Sequence, residues 1–390
     1  MERIIMHIDV NNAFLSWSAV DLLNNGYKYD IRNSYAVIGG DESRRAGIVL
    51  AKSTPCKKLG IQTAETLYQA RKKCRVLKVF PPNYAFYQKM SKELFKIISK
   101  YTPDIEVASI DECYIDYGKS MLINGDPIKF AYKLQKEIND TLHFTVNIGI
   151  ANNKLCAKMA SDFEKPNKVH TLFQNEVKTK MYPLPVGDLF GIGKKSVLKL
   201  NQIGIHKIED LANYDEKHLA FFFKNQAKHM IELAQGIDDT EVVSERDDCK
   251  SISMTTTLPI DITQIDDAYD ELRKIAEKVA QNLRKEEKYA YVIAVILKSN
   301  SFVTKNHQAK LTNPTNIGIE IYKKAKQLLK EMWDDEPIRL IGIRLDNLVV
   351  NYGYQASIFE NVDEKLEKVI DQIKKKYGNK SINIAKLKKE

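Results

Sequence analysis

Two acidic segments of the chain have the residue types that bind a divalent cation. Asp111 and Glu112 are adjacent at the turn of a predicted β-hairpin, because apolar residues such as Val107 and Ile115 lie on either side of them. Asp9 ends an apolar segment near the N-terminus in a similar setting. Carboxylate oxygens are the ligands that Mg²⁺ prefers, and such a site suits phosphoryl or nucleotidyl transfer. A lone acidic pair is more often a solvated turn than a metal site, so the surrounding elements must decide between the two.

The order of the predicted elements brings these acids together. The elements are a strand at 3–10, a helix at 13–24, a helix at 84–100, the acidic hairpin at 105–116, a helix at 128–142 and a strand at 145–151. Without the insertion at 13–81, this is the order of a ferredoxin-like fold. In that topology the first strand lies beside the hairpin, so Asp9 can approach Asp111 and Glu112.

The region 173–240 is predicted to be wholly helical and contains a possible phosphate-binding turn. Gly191 and Gly193 precede a helix that begins with Lys194 and Lys195, a pattern typical of a helix-hairpin-helix motif. Glycines at such a turn expose backbone N–H groups that can hold a DNA phosphate without reading its sequence. A purely structural helix-turn-helix is the alternative, and the two lysines favour phosphate binding.

A polar tether at 241–250 leads to a second strand–helix–strand–strand–helix–strand series at 251–350, in which a helix is predicted at 265–285. This series has no acidic pair in its hairpin, so we expect it to be non-catalytic. Its hairpin carries Lys298 and Lys305, which could follow a phosphate backbone or simply be solvated.

The tail at 351–390 contains a short pattern that is typical of docking peptides. Gln355, Ile358 and Phe359 combine a glutamine with two bulky apolar residues, which suits insertion into an apolar pocket of a partner protein.

Composition and charge narrow the class of protein. The chain has 390 residues, enough for several domains, and a formal net charge of +9, which favours a polyanionic partner. The five cysteines are odd in number and widely spaced, so neither a disulfide framework nor a zinc site is indicated. No apolar run approaches the roughly 20 residues that span a bilayer, and no signal peptide is evident. We therefore expect a cytoplasmic, soluble monomer that does not bind a membrane.

These segments together resemble the DinB/UmuC group of Y-family translesion DNA polymerases. The resemblance is collinear over nearly the whole chain and includes Ile8-Asp9, residues 108–116, residues 147–158, Lys165-Pro166-Asn167 and Gly191-Ile192-Gly193. It implies an α+β multidomain fold: a ferredoxin-like palm (1–12 and 82–172) with inserted fingers (13–81), an all-α helix-hairpin-helix thumb (173–240) and a second ferredoxin-like domain, the little finger (251–350).

The resemblance also implies roles for individual residues. Asp9, Asp111, Glu112 and the Val10 carbonyl would bind two Mg²⁺ ions, and Glu112 would be catalytically important. Phe14 matches the steric gate that excludes a ribose 2′-hydroxyl, although a core aromatic is the alternative. By the same resemblance, Gln355–Phe359 would dock onto the ring-shaped sliding clamp.

Thr54, Lys57 and Lys165 match positions that contact the triphosphate. Two of these positions depart from the family pattern, because many relatives have a tyrosine and an arginine where this chain has Thr54 and Lys57. Lysine neutralises phosphate as a point charge, without the bidentate fork of arginine. Ile48 and Leu50 are also bulkier than the residues that often cover the nascent base pair.

The expected function is low-fidelity, template-directed synthesis on primer-template DNA from deoxynucleoside triphosphates. A nucleotide cyclase built on the same palm is one alternative, but it leaves the thumb, little finger and tail unexplained. A non-catalytic DNA-binding scaffold is the other, and the intact Asp9, Asp111 and Glu112 argue against it.

Overall fold

The computed structural model describes residues 3–42, 45, 47–244, 248–350, 364–378 and 381–382. The chain forms two compact units, Met1–Gly40 with Gly47–Arg246 and Asp41–Ala46 with Asp247–Glu390. Across the described ranges, no helix has both the length and the apolar content that crossing a membrane requires.

The first unit begins with a buried strand and a small inserted sheet. Its elements are β1 (Ile5–Val10), α1 (Ala13–Asn24), β2 (Ala36–Gly39), β3 (Val49–Lys52), α2 (Thr54–Lys58), α3 (Leu67–Lys73) and β4 (Lys78–Phe80). β2 pairs antiparallel with β3 and parallel with β4. α1 has the predicted bounds, and Gly26 just beyond its end has a φ of 84°, a left-handed conformation that glycine adopts without strain.

The acidic hairpin belongs to the next part of this unit. The elements are α4 (Tyr84–Ile98), β5 (Ile105–Val107), β6 (Glu112–Asp116), α5 (Met121–Asn124), α6 (Pro127–Leu142), β7 (Val146–Ala151), α7 (Lys154–Asp162) and β8 (Val169–Thr171). The strand order is β5-β6-β1-β7-β8. Its first four strands have the lateral order of a ferredoxin-like sheet, as predicted. The parallel edge strand β8 was not predicted.

The two faces of this sheet are covered by different helices. α4 and α6 contribute Leu94 and Phe130 to a core that includes Ile8 of β1. α7 covers the opposite face, and it packs so closely that a Cβ on Gly149 of β7 would lie 2.0 Å from the Ala157 carbonyl oxygen. β1 is therefore buried on both faces, and every one of its six residues is buried.

The last part of the first unit is helical, as predicted. It contains α8 (Lys194–Gln202), α9 (Ile208–Ala212), α10 (Glu216–Phe223) and α11 (Ala227–Ala234), with short 3₁₀ and π turns between them. Leu200, Leu211 and Met230 from these helices share a core with Leu155 of α7. The helical region thus packs directly on the helix that covers the acidic face of the sheet.

The second unit repeats the predicted element order. It contains β9 (Ser251–Ile262), α12 (Ile265–Lys285), β10 (Lys288–Ser299), β11 (Thr304–Thr315), α13 (Gly318–Met332), β12 (Ile338–Val350) and α14 (Glu364–Tyr377). Both α12 and α13 pack on one face of the sheet, where Leu272 and Ile321 meet Ile293 and Ile343.

The strand order of this second sheet corrects one expectation. The order is β11-β10-β12-β9, so the second and fourth strands are central, whereas a ferredoxin-like sheet has the first and third strands there. β10 and β12 instead pair along nearly their whole length. The ferredoxin-like expectation therefore holds here for the order of elements along the chain and not for their lateral arrangement.

Candidate active site

The antiparallel pairing of β1 with β6 brings the predicted acids together. Asp9 lies directly opposite Glu112, and residues directly opposite one another project from the same face of a sheet. The Val10 amide donates a hydrogen bond of 3.0 Å to the Asp111 carbonyl, which ties the tip of the hairpin to the end of β1. The structure thus places Asp9, Val10, Asp111 and Glu112 at one end of two central strands.

Two lysines compensate the charge of this acidic group. Lys158 of α7 has its Nζ 2.6 Å from Glu112 Oε2 and 4.0 Å from Asp9 Oδ1. Lys165, in the segment after α7, has its Nζ 2.5 Å from Asp9 Oδ2. Asp162 is 2.8 Å from the Lys165 Nζ and 3.7 Å from the Lys158 Nζ. No functional role was predicted for Lys158 or Asp162.

The two hairpin acids have different electrostatic environments. The adjacent His7 ring, 3.3 Å from the carboxylate, and then the Lys158 ammonium group lower the pKa of Glu112 to about 2. Burial raises the pKa of Asp111, and repulsion from Asp9 and Glu112 adds to that rise. A hydrogen bond of 2.6 Å from the Ser109 hydroxyl offsets the rise only in part. Asp111 is therefore the acid whose negative charge is least compensated.

Two basic side chains here, Lys165 and His7, respond differently to burial. Burial alone favours the neutral amine of Lys165, but Asp9 and Asp162 raise its pKa. His7 is different, because it is fully buried and desolvation lowers its pKa. Its Nδ1 is 2.8 Å from the Ser161 hydroxyl of α7. The His7 ring therefore links the acidic edge of the sheet to the helix that covers it.

The donor chemistry of this group fits a hard divalent cation. Three carboxylates and a backbone carbonyl supply only oxygen ligands, the set that Mg²⁺ prefers. The two nearby ammonium groups and the raised pKa of Asp111 indicate that the carboxylates need positive charge. Within the part of the chain that the structure describes, however, no three His, Cys, Asp or Glu side chains form a ready-made cluster. Lys158 and Lys165 lie among the carboxylates instead.

An open cleft of about 310 Å³ begins at these acids. Asp9, Asp111 and Lys165 line one part of it, and Phe14 and Leu50 line another. The Phe14 ring stacks on Tyr87 with 4.8 Å between centroids and an angle of 10°, and it meets the edge of Tyr84 at 6.0 Å. Phe14 is therefore both a packed aromatic and part of the cleft wall. The two interpretations of this residue are compatible.

The two remaining triphosphate candidates lie just beyond the cleft. Thr54 and Lys57 are exposed on α2, which follows the cleft-lining strand β3. Lys52, at the end of β3, was not predicted. Burial lowers its pKa, and the charge of Lys57 adds to that effect. Lys52 and Lys57 together make the mouth of the cleft basic.

The predicted phosphate-binding turn has the expected local structure. Gly191 has a φ of 93°, and Gly193 is the N-cap of α8 without a side-chain capping bond. Lys194 and Lys195 form the exposed start of this helix. The N–H groups of the first turn are thus available to an anion. The helix before the turn is only a short 3₁₀ segment at Val186–Asp188.

The two lysines of the second unit differ in their surroundings. Lys298 lies opposite Thr304, whereas Lys305 lies opposite Leu297, a core residue beneath the helices. Adjacent strand residues project from opposite faces, so Lys298 is on the open face and Lys305 on the helix side. The Lys305 Nζ is 2.5 Å from Asp334. The predicted clamp residues Gln355, Ile358 and Phe359 lie outside the described residues.

Comparisons with known proteins agree with this arrangement. The chain matches the impB/mucB/samB family over residues 8–162, the C-terminal domain of that family over 249–358 and the IMS family HHH motif over 175–205. It is 44% identical to a DNA polymerase IV of Clostridium acetobutylicum, over 98% of this chain and 97% of that protein. A DNA polymerase IV of Clostridium kluyveri is 33% identical over 100% of this chain and 99% of that protein.

The chain belongs to the Y family of DNA polymerases. A solved Y-family polymerase chimera of Dbh and Dpo4 superposes with a TM-score of 0.78 at 25% identity, covering 89% of this chain and 100% of that one. An insertion ternary complex of the Dbh DNA polymerase has a TM-score of 0.61 with the same identity and coverage. The α+β fold with a helix-hairpin-helix region and a C-terminal little finger is thus confirmed.

Sequence reasoning assigned no role to His7, Asn11, Lys158 or Asp162, although their spacing in the sequence could have indicated one. His7 and Asp9 are two residues apart on β1 and therefore share one face, and Asn11 continues this spacing just beyond the strand. Polar residues at every second position of a fully buried strand indicate a face that serves a site. The spacing of Lys158 and Asp162 on α7 gives a similar signal, because residues four apart share one helix face.

We predict that Lys158→Met destabilises the protein most strongly when divalent cations are absent. Losing the ammonium group removes the cation nearest to Glu112, which costs about 2 kcal/mol for such a partly buried pair, while Asp9 keeps its contact with Lys165. Urea unfolding in EDTA and in millimolar Mg²⁺ measures the difference, and we expect Mg²⁺ to restore much of the lost stability.

The matched control for this prediction is Lys154→Met on the same helix. Lys154 is 17% exposed, against 12% for Lys158, and pairs with Glu106 away from the site. Mg²⁺ should not restore the stability that Lys154→Met loses. An equal response of both variants to Mg²⁺ would contradict a cation site at the acids.

Proposed function

We propose that the chain is a DNA-directed DNA polymerase that performs low-fidelity, template-directed translesion synthesis. It transfers a nucleotide from a deoxynucleoside triphosphate to a primer 3′-hydroxyl and releases pyrophosphate. The observation that carries this proposal is the convergence of Asp9, Asp111 and Glu112 at the end of adjacent palm strands. The full-length similarity to named DNA polymerases IV supports the same activity.

The metal chemistry is assigned to the acidic group. Asp9, Asp111, Glu112 and the Val10 carbonyl would hold two Mg²⁺ ions. When bound, these ions would supply the Lewis acidity that activates a hydroxyl nucleophile and stabilises a pyrophosphate leaving group. Lys158 holds Glu112 in its ionised form through the contact described above. Glu112 is thereby kept available as an anionic ligand and as the proposed catalytic carboxylate.

The nucleotide is assigned to the cleft between the acids and Phe14. Lys165, one wall of the cleft, supplies a charge that can bind triphosphate oxygens, and its Asp9 contact gives way when the phosphate charge arrives. Thr54 and Lys57 add contacts from the basic mouth of the cleft. Phe14 is the steric gate: its ring is backed by Tyr87 and therefore cannot yield easily to a ribose 2′-hydroxyl.

DNA is assigned to the thumb turn and the little finger. The backbone at Gly191 and Gly193, with Lys194 and Lys195, would hold a phosphate independently of sequence. Lys298 is available on the open face of the little-finger sheet. Lys305 is a weaker candidate, because DNA phosphate would have to displace its Asp334 contact.

A sliding clamp is the proposed protein partner, bound through Gln355, Ile358 and Phe359. We also infer that the enzyme acts as a monomer. A cytoplasmic location follows from a DNA substrate in bacteria such as those of the relatives.

We predict that Asp111→Asn abolishes primer extension. The substitution keeps the shape of the side chain and removes the charge, so the rate should fall by at least about 10³-fold, the equivalent of several kcal/mol. Single-nucleotide insertion with Mg²⁺, primer-template DNA and deoxynucleotides measures it. Asp116→Asn, at the other end of the same strand, is the control and should retain activity. Full activity of Asp111→Asn would refute the assignment of the metal site to these acids, whereas no primer extension by the wild type would leave a scaffold role.

We predict that Phe14→Ala relaxes sugar discrimination. Without the ring, the 2′-hydroxyl of a ribonucleotide has room, and the preference for deoxynucleotides should fall by about tenfold or more, or about 1.4 kcal/mol. Competing incorporation of ribo- and deoxynucleotides gives the ratio. Phe14→Tyr retains the bulk and should retain the preference. Unchanged discrimination in Phe14→Ala would mean that the ring is only a core residue.

We predict that Phe359→Ala weakens binding to the sliding clamp by about 2 kcal/mol or more, since buried aromatic anchors dominate such peptide interfaces. Titration of the clamp against the full chain measures the affinity. Asn361→Ala, two residues beyond the peptide, should bind like the wild type. Equal affinities of all three chains would exclude this peptide as the docking element.

A further inference from the structure

The segment between α7 and β8 carries Lys165 outside any helix or strand. Its ammonium group nevertheless lies 2.5 Å from Asp9 and 2.8 Å from Asp162. A lysine side chain has many rotamers, and holding it in one place costs entropy. The position of its Nζ therefore depends on how firmly the backbone on both sides of Lys165 is held.

Asn147 holds one side of this segment with every hydrogen bond that its amide can make. It is the second residue of β7 and is fully buried. Its Nδ2 donates to the carbonyls of Ser161, at 2.9 Å, and Glu164, at 2.6 Å. Its Oδ1 accepts from the Asn11 Nδ2 at 3.0 Å and from the Lys168 amide at 3.2 Å. Two donors and two acceptor positions are thus all used.

Asn11 holds the other side. It is also buried, and its Oδ1 accepts hydrogen bonds from the Asn167 amide at 2.8 Å and the Thr145 hydroxyl at 2.9 Å. Asn167 has a φ of 58°, so this amide points inward from a left-handed residue. The two asparagines therefore hold the backbone before and after Lys165. Gln135 of α6 adds a bond of 3.0 Å to the Lys168 carbonyl.

Both asparagines lie beside Asp9. Asn147 of β7 lies directly opposite Asp9, and Asn11 is two residues after Asp9, just beyond the end of β1. All three side chains consequently project from one face of the sheet. The sheet register that places the Asp9 carboxylate thus also sets the distance from that carboxylate to the Lys165 backbone.

We propose that Asn147 and Asn11 are positioning residues for nucleotide binding, which act by fixing Lys165 beside the acidic group. This inference rests on the proposed role of Lys165 in binding the triphosphate. Neither asparagine touches the nucleotide. Both are neutral, so they order the segment without adding charge next to Asp9.

A double-mutant cycle on the full chain tests this proposal. Single-nucleotide insertion is measured against deoxynucleotide concentration for Lys165→Ala, Asn147→Ala and the double variant. Lys165→Ala should raise KM about tenfold or more, and Asn147→Ala about fivefold, with smaller effects on kcat. If Asn147 acts through Lys165, the double variant should have the KM of Lys165→Ala alone.

The outcomes distinguish the positioning role of Asn147 from the triphosphate contact of Lys165. The positioning role is overturned if the KM effects of the two single variants multiply in the double variant. It is also overturned if Asn147→Ala leaves KM unchanged. In both cases the role of Lys165 stands. An unchanged KM in Lys165→Ala overturns the triphosphate contact itself. If Asn147→Ala does not fold, Asn11→Ala replaces it in the same cycle, since it removes part of the network without adding charge.

Asn153→Ala is the matched control for a merely structural effect. Asn153 is a buried asparagine that caps α7, accepting from the Cys156 amide at 2.8 Å and donating to the Gly236 carbonyl at 2.8 Å. It makes no bond to the Lys165 segment among the described contacts. It should lower stability and leave the deoxynucleotide KM unchanged, whereas a KM effect equal to that of Asn147→Ala would overturn the proposal.

Discussion

The structure depends on the compensation of negative charge where β1 and β6 end. Asp9 and Glu112 face each other across the strand pair, with Asp111 at the adjoining turn. Carboxylates in such a partly buried place repel one another and lose hydration, so the fold must bring positive charge to them. Lys158 and Lys165 provide it from α7 and from the segment that follows. The same unbalanced charge supports the proposal that these acids bind divalent cations.

The central strand shows how one element can serve both core and chemistry. One face of β1 enters the core beneath α4 and α6, where Ile8 packs. The other face carries His7, Asp9 and Asn11 toward α7. That face can be polar because each polar side chain on it contacts a polar or charged partner. His7 contacts Glu112 and Ser161, Asp9 contacts Lys165, and Asn11 contacts Asn147. The close approach of α7 at Gly149 keeps these partners within reach.

Much of the fold could be predicted because the signals are local. The bounds of α1 and α12 agree with the periodicity and with their end signals, and the palm topology follows from its element order. The prediction failed where local sequence does not determine lateral position. β8 has only three residues, too few for a recognisable period. In the little finger, two strand orders bury the same amphipathic strands, and only long-range pairing of β10 with β12 selects one.

The sequence by itself determined which residues are candidates for the chemistry: the three acids, Phe14 and the basic residues of the cleft and the thumb. Their types and spacing are local properties of the chain. Only the tertiary structure decided how they are held. It assigned Lys158 to Glu112, paired Lys305 with Asp334 and enclosed the Lys165 segment between Asn11 and Asn147. These contacts join residues far apart in the chain, and strand register and helix packing decide which of the possible partners meet.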